Sequence, residues 1–187
     1  VKDNLSSFAE FGVYENRDFR LSVKQSGKAI SGSYVRSGFF EFSRTQPILG
    51  RIIQVQDSKV GASPVAVISH ETWQVEFNGN ENVLSQSMML NGELTSIIGV
   101  MPQGYHFPNT SRVWLPLSDT VLNASAKQSS YLNAYGRVKP DKSKENAENE
   151  LGQAVNQIYQ QNVKLYDLPE LEKSAKLLSF PMGQTGD

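Results

Sequence analysis

Residues 64–77 read Pro64-Val65-Ala66-Val67-Ile68-Ser69-His70-Glu71-Thr72-Trp73-Gln74-Val75-Glu76-Phe77, and a few residues later comes Met88-Met89-Leu90-Asn91-Gly92-Glu93-Leu94-Thr95. The first stretch opens with a short, continuous apolar run, the pattern of a strand buried on both faces, and Pro64 stands at its start where a missing N–H does least harm. Ser69 is then placed to cap a helix over His70–Phe77, in which Trp73 and Phe77 share one face at i, i+4. Gly79 is the expected terminator of that helix. In the second stretch Asn91-Gly92 supplies the two positive φ angles of a type I′ turn, so 86–90 and 93–101 pair as a hairpin. The alternation along 93–101 is irregular and fixes no register. A strand, a helix and a hairpin in close succession put this block in the α+β class.

Working outward towards the start of the chain, Phe19, Leu21 and Val23 alternate with Arg20, Ser22 and Lys24, the period of a half-buried strand. Gln25-Ser26-Gly27 turns the chain, and Ala29 to Val35 is a second extended segment. Gly38 to Phe42 reads as one or two helical turns with Phe39 and Phe42 on one side, stopped by Pro47, Leu49 and Gly50. Residues 54–63 are polar with one Gly and read as a loop or a subdomain crossing. Towards the end, Pro102, Gly104 and Pro108 break the chain, Arg112 to Leu117 forms a strand carrying Trp114, and 118–130 is a loop or a frayed helix. Tyr131 to Lys139 is strand-like. Ser143 caps a helix with Glu145, Glu148 and Glu150 near its positive end, and Ala147, Leu151, Ala154, Val155 and Ile158 form its apolar stripe. Leu177, Leu178 and Phe180 suggest a closing strand.

Composition narrows the chemistry. The 187 residues hold 39% hydrophobic and 20% charged side chains, a balance that supports a folded core. Lys and Arg total 18 against 19 Asp and Glu, a net charge of -1 that speaks against a nucleic-acid footprint. There is no cysteine, which excludes thiol nucleophiles, disulfides and thiolate metal sites, and the two histidines cannot build a multi-histidine centre. Ser69, His70 and Glu71 are the residue types of a hydrolytic site, but no Gly-x-Ser-x-Gly elbow surrounds Ser69, and a helix cap explains it without chemistry. His106 sits in an aromatic loop, Gly104-Tyr105-His106-Phe107-Pro108, where a packed histidine is the simpler reading. Trp73 and Trp114 read as core, and the Lys139, Lys142 and Lys144 cluster is interrupted by Asp141 and Glu145. The residues alone give no catalytic, cofactor-binding or metal site. The start at Val1 and the lack of any window near the roughly 18 apolar residues of a membrane span suggest a piece of a longer protein.

One ordered series goes further than fold class. Gly32-Ser33-Tyr34-Val35, Gly38-Phe39-Phe40 and Pro47-Ile48-Leu49-Gly50-Arg51 precede Pro64–Ser69 and Trp73…Phe77. Leu90-Asn91-Gly92, Ile97-Ile98-Gly99-Val100-Met101-Pro102, Phe107-Pro108 and Val113-Trp114-Leu115-Pro116-Leu117 follow, and Gly136-Arg137-Val138-Lys139-Pro140 continues the series. This series resembles the MacB-like periplasmic core domain of ABC transporter permeases of the MacB/FtsX superfamily. The resemblance implies a porter-like α/β subdomain, residues 1–60 and 119–187, with an inserted β-rich, Sabre-like subdomain, residues 61–118. It also implies a soluble domain of an integral membrane protein, on the periplasmic side of the bacterial inner membrane. Such a domain is non-catalytic and passes ATP-driven movement of the permease's transmembrane helices to a substrate or adaptor protein outside. Its implied partners are those helices, a second permease copy and, indirectly, a cytoplasmic ATPase subunit or domain. The crossings at 54–63 and 118–130 are the expected hinges. Two other readings stay open at this point: a Ser/His hydrolase built on Ser69, His70 or His106, and a free-standing periplasmic ligand- or peptide-binding module using Trp73, Trp114 or Tyr105.

Overall fold

A computed structural model describes residues 5–23, 26–108, 110–118 and 133–166. The strands are β1 (Phe8–Val23), β2 (Ser26–Val35), β3 (Leu49–Gly50), β4 (Val65–Ile68), β5 (Ser87–Leu90), β6 (Glu93–Val100), β7 (Val113–Pro116) and β8 (Asn133–Val138). The helices are α1 (Phe39–Phe42), α2 (His70–Phe77) and α3 (Lys144–Tyr166). The expected strand near 177–180 and most of 118–130 lie outside the described residues. By contact the chain forms two units. One comprises 1–11 with 135–180, and the other 12–134 with 181–187.

In the larger unit the strand pairings close on themselves. β1 pairs antiparallel with β2, β2 parallel with β7, β7 antiparallel with β4 and β4 parallel with β6. β6 then pairs antiparallel with β5, and β5 antiparallel with β1. Among the described residues this makes a closed six-stranded barrel, which removes the free edges that an open sheet exposes. Four of the six strands supply the interior at a period of two: Phe19 and Leu21, Ala66 and Ile68, Met88 and Leu90, Val113 and Leu115 all join one buried cluster. β4, flanked by β6 and β7, is buried at all four positions, which is why it reads as continuously apolar.

The local signals held with adjustments. Asn91 and Gly92 take φ of 53° and 85°, and Leu90 faces Glu93 across the turn. The irregular pattern of β6 has a cause, because the β4 register steps from Ile97 to Gly99 and leaves Ile98 as a bulge. Ser69 caps α2 by accepting the Thr72 N–H at 3.1 Å. Asn78, not Gly79, takes the left-handed position directly after α2, although Gly79 follows with φ of 62°. Trp73 is only half-buried, and its Nε1–H donates to the Asn80 carbonyl at 2.9 Å. The first turn comes earlier than expected, since Val23 and Ser26 are already partners. α1 is a single turn that ends at Ser43, before Pro47, with Arg44 at φ 54°.

Residues 54–63 are polar but fastened. Arg51 grips Asp57 through two bonds of 2.6 and 2.9 Å, and Asp57 also accepts the Gln54 N–H at 2.8 Å. Burial alone would raise the Asp57 pKa, but these bonds outweigh it and hold the carboxyl below its ordinary range. The stretch lies inside the larger unit, and so does all of 12–60, together with 61–118. The unit boundaries instead cross the chain between Phe11 and Gly12 and between Ala134 and Tyr135. The expected hinge at 54–63 is therefore not where the contacts part.

Candidate functional site

The hydrolase candidates meet only in part. Glu71, in the first turn of α2, accepts the Gly104 N–H at 3.3 Å and lies 3.8 Å from His106 Nε2. Burial raises the Glu71 pKa, yet the backbone N–H groups, the Ser69 hydroxyl and the facing His106 together hold it below the usual range. Ser69 is fully buried, and its hydroxyl donates to Thr72 Oγ1 at 3.2 Å while accepting the Thr72 N–H. That hydroxyl is committed to the helix cap rather than presented to an imidazole. His70 stands edge-on to Trp73, with ring centroids 5.5 Å apart. We expect Ser69→Ala to cost about 1 kcal/mol, the usual worth of such a cap, read as a lower urea midpoint.

The aromatic platforms of a ligand module are also committed. Trp114 has no exposed surface, and its Nε1–H donates to the Phe107 carbonyl at 2.8 Å. Tyr105 is 3% exposed and shares a 2.8 Å hydrogen bond with Ser43. Phe39 and Phe42 do share a side, and both stack on Phe107. A cleft of about 660 Å³ opens between the end of α2 and the β5–β6 hairpin, lined in part by Glu76, Asn78, Asn80, Met89 and Leu94. None of Ser69, His70, His106, Trp73, Trp114 or Tyr105 lines it. Among the described residues no group of three His, Asp or Glu side chains is placed to hold a metal ion, and no described helix is long and apolar enough to cross a membrane.

The smaller unit holds the feature that sequence reading missed. Ser143 caps α3 by accepting the Asn146 N–H at 3.1 Å, and Ala147, Leu151 and Ala154 of the expected stripe pack with Leu5, Phe8, Phe11 and Val138, while the Ile158 side chain lies outside the described residues. Glu150, read as a charge near the helix start, instead receives the chain where it enters β1. Ser6 N–H and Ser6 Oγ–H donate to Oε1 at 2.6 and 2.7 Å, and Ser7 N–H donates to Oε2 at 2.7 Å. Desolvation opposes ionisation, but these donors more than offset it and bring the Glu150 pKa to about 2. A depressed pKa contributes stability that is complete above the ordinary carboxylate range and is lost as pH falls towards 2. The Glu150 carboxyl carbon resonance is accordingly expected to titrate with a midpoint near 2. A midpoint in the ordinary range would show the clamp open in solution. No spacing rule marks this contact, because its partners are 143 and 144 residues apart.

The family model of the MacB-like periplasmic core domain matches residues 4–154. Among curated proteins none matches the sequence. The fold is similar to the extracellular domain of the ABC-type transporter YknZ from Gram-positive bacteria, with a TM-score of 0.67 and 12% identity, covering 84% of this chain and 80% of that one. It is similar to the periplasmic region of MacB from Actinobacillus actinomycetemcomitans, with a TM-score of 0.65 and 20% identity, covering 83% and 69%. A permease-protein domain from Porphyromonas gingivalis gives a TM-score of 0.58 at 14% identity, covering 95% and 79%. These likenesses establish an α+β fold of the same kind, and the match over residues 4–154 establishes that the chain belongs to the MacB-like periplasmic core domain family.

Proposed function

We propose that the chain is the extracytoplasmic domain of an ABC transporter permease, and that it transmits movement of the permease's membrane helices rather than catalysing a reaction. The family match over residues 4–154 carries this reading. The commitments of Ser69, Tyr105 and Trp114 to caps and core favour it over the hydrolase and the ligand module. In this reading the domain lies on the periplasmic side of the inner membrane. ATP is hydrolysed by a cytoplasmic subunit or domain, and the outer surface meets a substrate, an adaptor protein or a second permease copy. The inserted Sabre-like subdomain centres on 61–118 and draws the strands of 12–60 into its barrel. The porter-like subdomain keeps residues 5–11 with β8 and α3. A closed barrel suits such a role, since a sheet without free edges does not recruit stray strands.

The chain has no cysteine, so one introduced at the exposed loop residue Val60 is a clean reporter. In intact cells expressing the full reading frame, a membrane-impermeant maleimide that has crossed the outer membrane is expected to label it. Full protection until the inner membrane is broken would overturn the placement. The reading frame should also encode membrane helices before Val1 and beyond Asp187. A frame ending near Asp187, with only a signal peptide upstream, would sink the permease reading.

A further inference from the structure

Before β1 begins, the chain makes a turn in which Phe8 N–H donates to the Leu5 carbonyl at 3.3 Å. The two successive N–H groups inside that turn are both taken by one carboxylate of α3, and the Ser7 carbonyl accepts the Lys139 N–H at 2.9 Å. Ala147, Glu150 and Leu151 stand at i, i+3 and i+4, so the helix meets the entering chain with apolar and charged contacts along one face. Hydrogen bonds to an ionised acceptor are about twice as strong as neutral ones, and here three load together. Without them, a pull on the chain before Leu5 would reach α3 only through the apolar packing of Leu5 and Phe8 on Ala147 and would otherwise run along β1 into the larger unit. With them, the pull has a branch into α3 before β1 starts.

We propose that the Glu150 clamp on Ser6 and Ser7 is the joint through which displacement of the chain preceding Leu5 passes into α3, so that these residues and the helix move as one body. This rests on the permease reading and deepens it by naming where movement enters the domain.

The test has two arms. In the chain alone, Glu150→Gln should speed amide hydrogen exchange at Ser6 and Ser7 by about ten-fold, the equivalent of losing one to two net hydrogen bonds. The Glu145→Gln change, at an exposed site on the same helix, should leave it unaltered. In the full permease in lipid nanodiscs, spin labels on cysteines introduced at Gln153 and Glu81 report the distance between the two units. The change on adding a non-hydrolysable ATP analogue should shrink by half or more in Glu150→Gln and persist in Glu145→Gln. If exchange quickens but the nucleotide-dependent change keeps its full size, the clamp is a fastening and the joint is refuted with the permease reading intact. Exchange unaltered by Glu150→Gln also refutes it. If the unsubstituted permease shows no nucleotide-dependent change, the permease reading fails and the joint with it.

Discussion

Trp114→Ala is expected to lower stability by about 4 kcal/mol, the range found when a large buried aromatic is truncated. The position explains the size. Val113 and Leu115 face the barrel interior, so Trp114, one residue between them, points to the other side of β7. That side is covered rather than wet. Phe40 and Tyr105 meet the indole edge-on or tilted at 6.0 and 5.4 Å, and the Phe107 carbonyl takes its N–H. Truncation thus leaves a cavity among rigid rings and removes the indole donor to a buried carbonyl, two penalties that add. For a chain of this length the midpoint of thermal unfolding should fall by roughly 10 °C. Trp73→Ala, at a half-buried indole, is the control and should cost clearly less. Equal losses at the two positions would mean that the aromatic layer outside the barrel contributes little.

What could be read in advance follows from how local each signal is. The Asn91-Gly92 turn, the Ser69 cap and the stripe on α3 are set by neighbours within four residues, and the structure has all three. β1 is the opposite case. Only its last part alternates cleanly, because Phe8 serves the smaller unit while Phe19 and Leu21 serve the barrel. In between, Glu15 is 1% exposed and pairs with Arg17, whose guanidinium lies over Tyr34. A buried, paired carboxylate looks in sequence like a surface charge. Barrel closure is equally hidden, since among the described residues β1 meets β5 across about seventy residues at Leu21–Leu90 and Ser22–Met89. Polarity at 54–63 likewise hides a fastening, since Arg51 holds Asp57 and the stretch falls inside the larger unit. At the candidate site, Ser69 was legible as a cap, while Glu150 required knowing where the first residues of the chain come to rest.

Gly50→Ala is expected to be about as costly as the loss of the buried indole, and for a different physical reason. Gly50 and Gly99 face each other across β3 and β6. A Cβ at Gly50 would stand 2.2 Å from the Ile98 carbonyl oxygen, and one at Gly99 would stand 2.3 Å from the Arg51 carbonyl oxygen. Both obstacles are backbone, which cannot swing aside as a side chain can. Arg51 N–H donates to the Ile98 carbonyl at 2.8 Å, so separating the strands to make room would break the bond that joins them. Gly50 carries a second penalty, because its φ of 74° costs an alanine about 1–2 kcal/mol before any clash. With an overpacking cost of about 1–3 kcal/mol, Gly50→Ala should lose roughly 3–4 kcal/mol, and Gly99→Ala, which carries only the clash, should lose less. These are two of the glycines in the series that carried the family resemblance, and close strand approach is a sufficient reason for both. Because the clashes arise at one crossing, the double variant should cost less than the sum of the singles. Urea unfolding of the three variants measures this directly. Full additivity would show that the two glycines do not share a contact, and a neutral Gly50→Ala would show that β3 is not held against β6 in solution.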